Sequence, residues 1–381
     1  MAASVSLTAQ TGESPSTTRT GISVSSPSDY QVFQRSTSLK GKIEIRGKAL
    51  VPADLAEARL MGTSLRGPLP DRWIRLSFHK STGEFHASLP AAAGGFYQLQ
   101  VRLLRAKSPM VETTIPHVGV GEVFVVSGQS NSTNYGEVQQ ATQTSMVVSF
   151  DGTSWQIAND PQPGVQDHSR KGSFIPSFGD ALYRKYHVPI GVASVGRGST
   201  SVRQWLPAGD PVYVMPTMTN FVNRNAKGEL VSDGALFNGM MQRIHQLGKH
   251  GFRAVLWHQG ESDARQAPEH QISETRYREM MIRLIRSSRK SAGWNFPWFV
   301  AVATYHSPQD PSTPSFQEAQ RSLWHSGIAI AGPNTDTLGS PYRQNNGQGV
   351  HLNDAGLKAH GSMWAEMVER YLDSVTAGGG V

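Results

Sequence analysis

The side chains of this chain that could act together in chemistry are a serine, a glycine loop, a glutamine and glutamate two residues apart, and a late histidine. Ser130 closes the tetrad Gly128-Gln129-Ser130-Asn131 directly after the apolar run EVFVV. Gly198-Ser199-Thr200 lies in SVGRGSTSVRQW, Gln259 and Glu261 in WHQGESDA, and His351 in GQGVHLNDAG. Each has a plain structural reading alone: a turn or cap for Ser130, a turn for Gly198, a sheet end for His258, the flank of a helix for His351. Together they hold the parts of acyl transfer, which needs a hydroxyl, a base within its reach, and donors aimed at the oxygen that becomes negative. Ser130 supplies the hydroxyl and His351 the base. The backbone N–H groups of Ser130 and Gly198 and the side-chain amide of Gln259 are the candidate oxyanion donors. No His-x-x-x-His pair or carboxylate cluster with ligand spacing is present, so no metal is expected. The chain has no cysteine, which excludes a thiolate zinc site, a cysteine nucleophile and a disulfide scaffold.

These motifs need elements that bring them to one place. Short apolar, β-rich runs at Glu122–Val126, Ile190–Val195, Arg253–His258, Trp298–Ala303 and Ile328–Ala331 read as five strands. Between them run helical stripes: Leu236, Met240, Ile244 and Leu247, stopped at Gly248, and Tyr277, Met281, Leu284 and Ile285. A last helix starts near Asn353 and buries Leu357, Trp364, Val368 and Tyr371. Strands alternating with helices predict a parallel sheet covered on both faces, with ligands outside the carboxyl ends of the strands. Ser130, Gly198, Gln259 with Glu261, and His351 each follow a different strand there.

The chain before this region has another grammar. Ile43 and Ile45, the run WIRLSF, and Tyr97, Leu99, Val101 and Leu103 alternate with period two between turns such as Gly67-Pro68 and Gly94-Gly95. That predicts a small all-β sandwich over residues 30–117. The division expected is a polar, Ser/Thr-rich disordered leader at 1–29, the sandwich, a catalytic domain at 118–375 and a flexible tail at 376–381. The 381 residues carry 36 Lys+Arg against 29 Asp+Glu, a net charge of +7 that is scattered rather than gathered into a patch. Its densest stretch, residues 283–290, reads as the dipole-complementing end of a helix, so no nucleic-acid partner is expected. No stretch is apolar and long enough to span a bilayer. The start of the chain lacks the basic and apolar regions of a signal peptide, and a mature secreted or periplasmic form that has lost its signal is expected, with a cytoplasmic one as the alternative.

The ordered quartet GQSN, GSTSVRQW, HQGES and GVHLNDAG resembles the SGNH-hydrolase superfamily, and within it the sialate O-acetylesterase-like carbohydrate esterases. The resemblance covers residues 121–372, and the β region before them is similar to a small domain that many of these enzymes carry. It implies a three-layer α/β/α fold with a five-stranded, flavodoxin-like parallel sheet, and removal of O-acetyl groups from carbohydrate without a cofactor. By position, Ser130 matches the nucleophile, Gly198 the second-motif donor, Gln259 the third-motif donor and His351 the base. Two departures stand out: Gly198-Ser199 replaces a pair of glycines, leaving open which N–H faces the oxyanion, and Gln348 occupies the place of the usual aspartate three residues before the histidine.

A Ser–His pair normally has a third group that fixes the imidazole tautomer. Glu261 is the first choice for that acid, Asp336 in the loop after the fifth strand the second, and a dyad without an acid the third. Trp155, Arg203 and Trp205 are candidate sugar or acyl contacts, since aromatic faces and planar cations suit hydroxylated rings. The polar flanks of the motifs disfavour a lipase. The leading expectation is a serine esterase acting on an acetylated polysaccharide or sugar, and its rival is a weak or inactive carbohydrate-binding relative.

Overall fold

The computed structural model describes residues 21–377. Seven strands form the part of the sheet that carries the motifs, in the spatial order Trp155–Ile157, Val147–Phe150, Ile190–Ser194, Ser108–Gly128, Ala254–His258, Trp298–Val302 and Ile330–Asn334. All neighbours pair in parallel except Trp155–Ile157, which runs antiparallel at the edge. The five expected strands are therefore joined by a sixth parallel strand, Val147–Phe150, and a seventh that is antiparallel. Alternation along the central strand explains the layering: Phe124 and Val126 join Phe178, Leu182, Trp364 and Val368 in one apolar cluster, while Val123 and Val125 join Met240, Tyr277, Leu284 and Trp298 in another. Helices Ile175–Tyr186 and Asp354–Ala377 cover the first face, and Ala235–Leu247, Glu274–Ala292 and Pro314–His325 the second.

The central strand, Ser108–Gly128, is 21 residues long. Its first half pairs antiparallel with Gly94–Arg105 and its second half pairs in parallel with Ile190–Ser194 and Ala254–His258. The N-terminal and C-terminal regions thus share one mixed sheet of 13 strands. The boundary expected between residues 117 and 118 falls inside this unbroken strand, where Val118 faces Tyr97. A second antiparallel sheet, including Ile22–Ser26, Lys40–Ala49 and Glu84–Ala92, places Ile22, Ile43, Ile45 and Phe85 in a cluster with Ala58, Leu99, Val101 and Leu103. Ile22–Ser26 lies within the expected leader but pairs with Lys40–Ala49, so ordered structure begins earlier than the composition suggested. The rest of the leader, residues 1–20, and residues 378–381 of the expected tail lie outside the described residues, while the last helix extends to Ala377. Among the described residues no helix is long and apolar enough to cross a membrane.

Candidate active site

Strand order reverses beside the central strand, and its carboxyl end carries the serine. Gly128 has φ +129°, and a Cβ there would stand 2.0 Å from the His258 carbonyl oxygen, so only glycine lets the two strand ends come together. The next residue ties them: the Gln129 N–H donates to the His258 carbonyl at 2.9 Å, and the Gln129 Oε1 accepts from the N–H groups of Gly260 (3.3 Å) and Ser262 (3.0 Å). From the second motif, the Arg197 N–H donates to the Gly128 carbonyl at 2.9 Å. Ser130 opens a short 3-10 turn, Ser130–Ser132, and is 5% exposed. Its hydroxyl makes no hydrogen bond among the described residues, so it is not spent on capping.

His351 hangs on a tight loop whose Asn345 and Asn346 both have φ 54°. Arg343 clamps this loop from inside, its guanidinium donating to the carbonyls of Leu338, Thr335 (3.1 Å) and Val350 (2.6 Å) while lying 3.8 Å above the Tyr305 ring. The imidazole packs against Tyr135, with ring centroids 5.0 Å apart. Its Nδ1 lies 2.9 Å from the side-chain amide of Gln344. A half-turn of that amide presents Oε1 to an Nδ1–H, the tautomer that leaves Nε2 bare as a base. Burial lowers the His351 pKa to about 4; the charges of Arg343 and Lys171 act in the same sense and that of Glu261 opposes them. Gln348, at the place of the usual aspartate, is exposed, and it is Gln344 that meets the ring.

Glu261 begins the turn after Ala254–His258 and is 5% exposed. Its Oε1 accepts from Asn131 Nδ2 at 2.9 Å and faces His258 Nε2 at 3.1 Å, whereas its Oε2 is buried with no hydrogen-bond partner among the described residues. Burial pushes this carboxyl up, but the His258 charge and the hydrogen bonds from His258 and Asn131 outweigh it and hold the group below the usual carboxylate range. Asn131 Nδ2 also lies 3.4 Å from the Val350 carbonyl. The residue after Ser130 therefore touches both Glu261 and the residue before His351. Asp336 is placed otherwise: it accepts from the N–H groups of Thr304 (2.7 Å) and Tyr305 (2.8 Å), from the Thr304 hydroxyl and from Gln317 Nε2 (2.7 Å). Both its oxygens are spent joining a strand end to the next helix, which removes it as the alternative acid.

Two expected oxyanion donors are also committed elsewhere. The Gly198 N–H donates to Asp167 Oδ2 at 2.7 Å. Gln259 is 0% exposed, and its NH2 group donates to Asp263 Oδ2 at 2.7 Å and to the Thr200 carbonyl at 3.1 Å. The Ser130 N–H heads its turn and has no partner within it. The N–H of Ser199, an exposed residue with φ 61°, has no partner among the described residues. No group of three or more His, Asp or Glu side chains among the described residues is placed to hold a metal ion.

A family model described as carbohydrate esterase, sialic acid-specific acetylesterase, matches residues 120–370. The chain belongs to this family. Its members are carboxylic ester hydrolases, and the match spans all four motifs. Among solved structures, a carbohydrate acetylesterase from Xanthomonas citri is 19% identical with a TM-score of 0.56, over 92% of this chain and 75% of that one. That likeness shows the fold. A protein from Arabidopsis thaliana is 18% identical over 66% of this chain and 98% of its own, with a TM-score of 0.45. A family two carbohydrate esterase from Clostridium thermocellum, solved with cellohexaose, is 11% identical over 89% of this chain and 94% of its own, with a TM-score of 0.37. No match is found among the curated proteins.

In this esterase fold the three expected sugar contacts are interior residues. Trp155 stacks on Phe150 with centroids 4.9 Å apart and is 8% exposed. Trp205, fully buried, donates its indole N–H to the Thr200 hydroxyl at 2.9 Å and packs edge-on to Trp257. Arg203, also fully buried, donates to the Ser201 hydroxyl (2.8 Å) and to the carbonyls of Val214 (2.9 Å) and His270 (3.0 Å). Arg203 and Trp205 build the second-motif turn from inside, and Trp155 packs on the edge of the sheet. The motif reading missed the hub that holds this turn, Asp263, which accepts from the Ser201 hydroxyl (2.5 Å), the Val202 N–H (2.7 Å) and Gln259. It also missed Asn131 and Gln344; Asn131 and Asp263, inside the quoted GQSN and WHQGESDA, carried a signal and Gln344 did not.

Proposed function

We propose that the chain is a serine acetylesterase that removes O-acetyl groups from carbohydrate through an acyl-enzyme. The observation that carries this reading is the bridge made by Asn131, which ties the turn of Ser130 to Glu261 and to the chain beside His351. Ser130 Oγ attacks the acetyl carbonyl while His351 Nε2 takes its proton, and the N–H groups of Ser130 and Ser199 receive the oxygen that becomes negative. His351 then returns the proton to the leaving sugar hydroxyl, and water attacks the acetyl-serine by the same route. Glu261 is the acid of this set, its buried carboxylate acting as the counter-charge of the imidazolium that forms while Gln344 holds Nδ1. The sheet with helices on both faces supplies the rigid edge from which these groups project.

The test is acetate release from acetylated xylan, xyloglucan, mannan and O-acetylated sialic acid, wild type against Ser130→Ala. The wild type is expected to turn over at least one of them, and the variant to fall by about a thousand-fold or more with an unchanged melting temperature. Equal rates would refute the nucleophile; a folded wild type inert on every substrate would favour a binding protein.

A further inference from the structure

The oxyanion site is short of donors. Asp167 takes the Gly198 N–H and Asp263 takes the Gln259 amide, so the N–H groups of Ser130 and Ser199 remain for an oxygen that offers three lone pairs as its charge develops. One side-chain hydroxyl stands beside them. Tyr135 packs its ring on the His351 imidazole, with centroids 5.0 Å apart and planes inclined by 32°. The far end of the same ring presses on the oxyanion loop: a Cβ at Gly198 would stand 2.7 Å from Tyr135 Cε2 and 2.8 Å from both Cζ and Oη. Gly198 lies outside the left-handed region, so its missing side chain serves the close approach of the tyrosine rather than a turn. The backbone of Tyr135 is fixed from both flanks. The Asn134 carbonyl accepts from the Lys171 N–H at 2.9 Å, and Gly136 exchanges N–H···O bonds with Gly172 at 2.9 and 3.0 Å. The hydroxyl makes no hydrogen bond among the described residues, and Tyr135 is partly exposed. Burial and the charge of Asp167 push its pKa up, against the charge of Arg197, so the phenol keeps its hydrogen.

We propose that Tyr135 is a catalytic residue whose hydroxyl donates the third hydrogen bond to the oxyanion, beside the N–H groups of Ser130 and Ser199. The proposal rests on the reading of Ser130 as nucleophile and His351 as base. The body of the ring lies on the base, where the leaving sugar oxygen must come, whereas Oη lies against the loop that supplies the Ser199 N–H. No proton is transferred. The O–H bond stays intact while the acetyl carbonyl oxygen gains charge as Ser130 Oγ bonds to its carbon, and that charge is lost when the C–O bond to the sugar breaks. A ring wedged between two loops reorganises little when the charge appears, which is what makes a fixed donor effective.

Tyr135→Phe in the full chain removes the hydroxyl and keeps the ring, so the packing on His351 and Gly198 survives. Two substrates are compared: p-nitrophenyl acetate, which carries no sugar, and the acetylated carbohydrate that the wild type turns over fastest. On both, kcat should fall about a hundred-fold while KM changes by less than about two-fold, because an oxyanion donor acts on the transition state whatever the leaving group. The melting temperature and the acid limb of kcat/KM should stay at their wild-type positions. A loss confined to the carbohydrate, or to KM, makes Tyr135 a sugar contact and overturns the proposal. An acid limb that moves places the effect on His351 and overturns it too, as does undiminished kcat on both substrates. Full activity of Ser130→Ala overturns the acyl-enzyme reading and this proposal together, whereas an inactive Ser130→Ala beside a fully active Tyr135→Phe overturns this proposal alone.

Discussion

Two buried glutamates stand at opposite ends of the same sheet, and they are built differently. Glu122, at the amino edge opposite Ile190, accepts four hydrogen bonds: Arg35 Nε (2.7 Å) and Arg253 Nη2 (3.0 Å) on Oε1, Arg253 Nε (2.8 Å) and Gln34 Nε2 (2.8 Å) on Oε2. Glu261, at the carboxyl edge, has two partners on one oxygen and none on the other. Both stay ionised against burial, one through arginines and the other through a histidine. A carboxylate whose lone pairs are all filled is a joint, and here it locks Arg35 of the N-terminal region to Arg253, just before the strand Ala254–His258. One with an unspent buried oxygen is, in the proposed mechanism, the group that balances the charge arising on the histidine.

The contrast breaks first at Glu122. Glu122→Gln leaves two buried guanidinium groups that cannot shed their protons, at a cost of about 3–5 kcal/mol. Urea denaturation should show that loss, while kcat per folded molecule stays at the wild-type value. Because the native pKa of Glu122 is depressed, its contribution is present above the unfolded carboxylate pKa and is lost as pH falls through the folded one. A stable variant would mean that the joint contributes little.

Glu261→Gln should do the reverse. The amide oxygen can keep the bonds from Asn131 and His258, and the amide nitrogen takes the place of the unpartnered oxygen. Stability should change by less than about 1.5 kcal/mol, within the range of ordinary substitutions. Activity should fall on the order of a hundred-fold, mostly in kcat, because the imidazolium loses its counter-charge in the transition state. Denaturation and steady-state kinetics on the same preparation would reveal the two variants trading places if the assignment is reversed.

A smaller effect sharpens the picture of the carboxyl edge. With the His351 pKa lowered from 6.5 to about 4, the base is still neutral at pH 5, and kcat/KM should fall only as pH drops through about 4. Stability has the same sign: between those two values the unfolded chain binds the proton and the folded chain does not, so stability declines from pH 6.5 to 4 and is level above. An acid limb near 6.5 would contradict the burial of the ring. Activity and urea midpoints at pH 4.5, 5.5 and 7 suffice to separate the outcomes.

What was legible in the sequence follows from how each feature is encoded. Strands buried on both faces are written as continuous apolar runs, so the strands that position the motifs could be read, with Ser130 and Glu261 just beyond two of their ends and His351 on the long loop after the last. Val147–Phe150 escaped because it is four residues long in a polar stretch. The shared strand hid because Val118 continues the alternation of one region into the run of the other. Trp155, Arg203 and Trp205 were misplaced because residue type shows what a side chain could touch but not which way it faces. Glu261 and Gln259 each have one partner close in sequence, His258 and Asp263, but their other partners, Asn131 and Thr200, are brought to them only by the fold, and no local pattern announces those.

The smallest effect belongs to Gln348, the position where relatives often carry an acid. Left-handed turns at Asn345 and Asn346 and φ 85° at Gly347 reverse the chain before it, and its side chain is exposed. The same reversal folds Gln344 back so that its N–H meets the His351 carbonyl at 3.0 Å and its amide meets Nδ1. A carboxylate at position 348 would sit in water, where screening leaves little interaction with the ring. Gln348→Asp should therefore change kcat/KM by less than about two-fold, within the reach of an exposed charge. Gln344→Leu, which removes the contact to Nδ1, should cost about ten-fold by freeing the tautomer. A large gain in Gln348→Asp would show that the loop turns that side chain inward and that Glu261 has a competitor for the histidine.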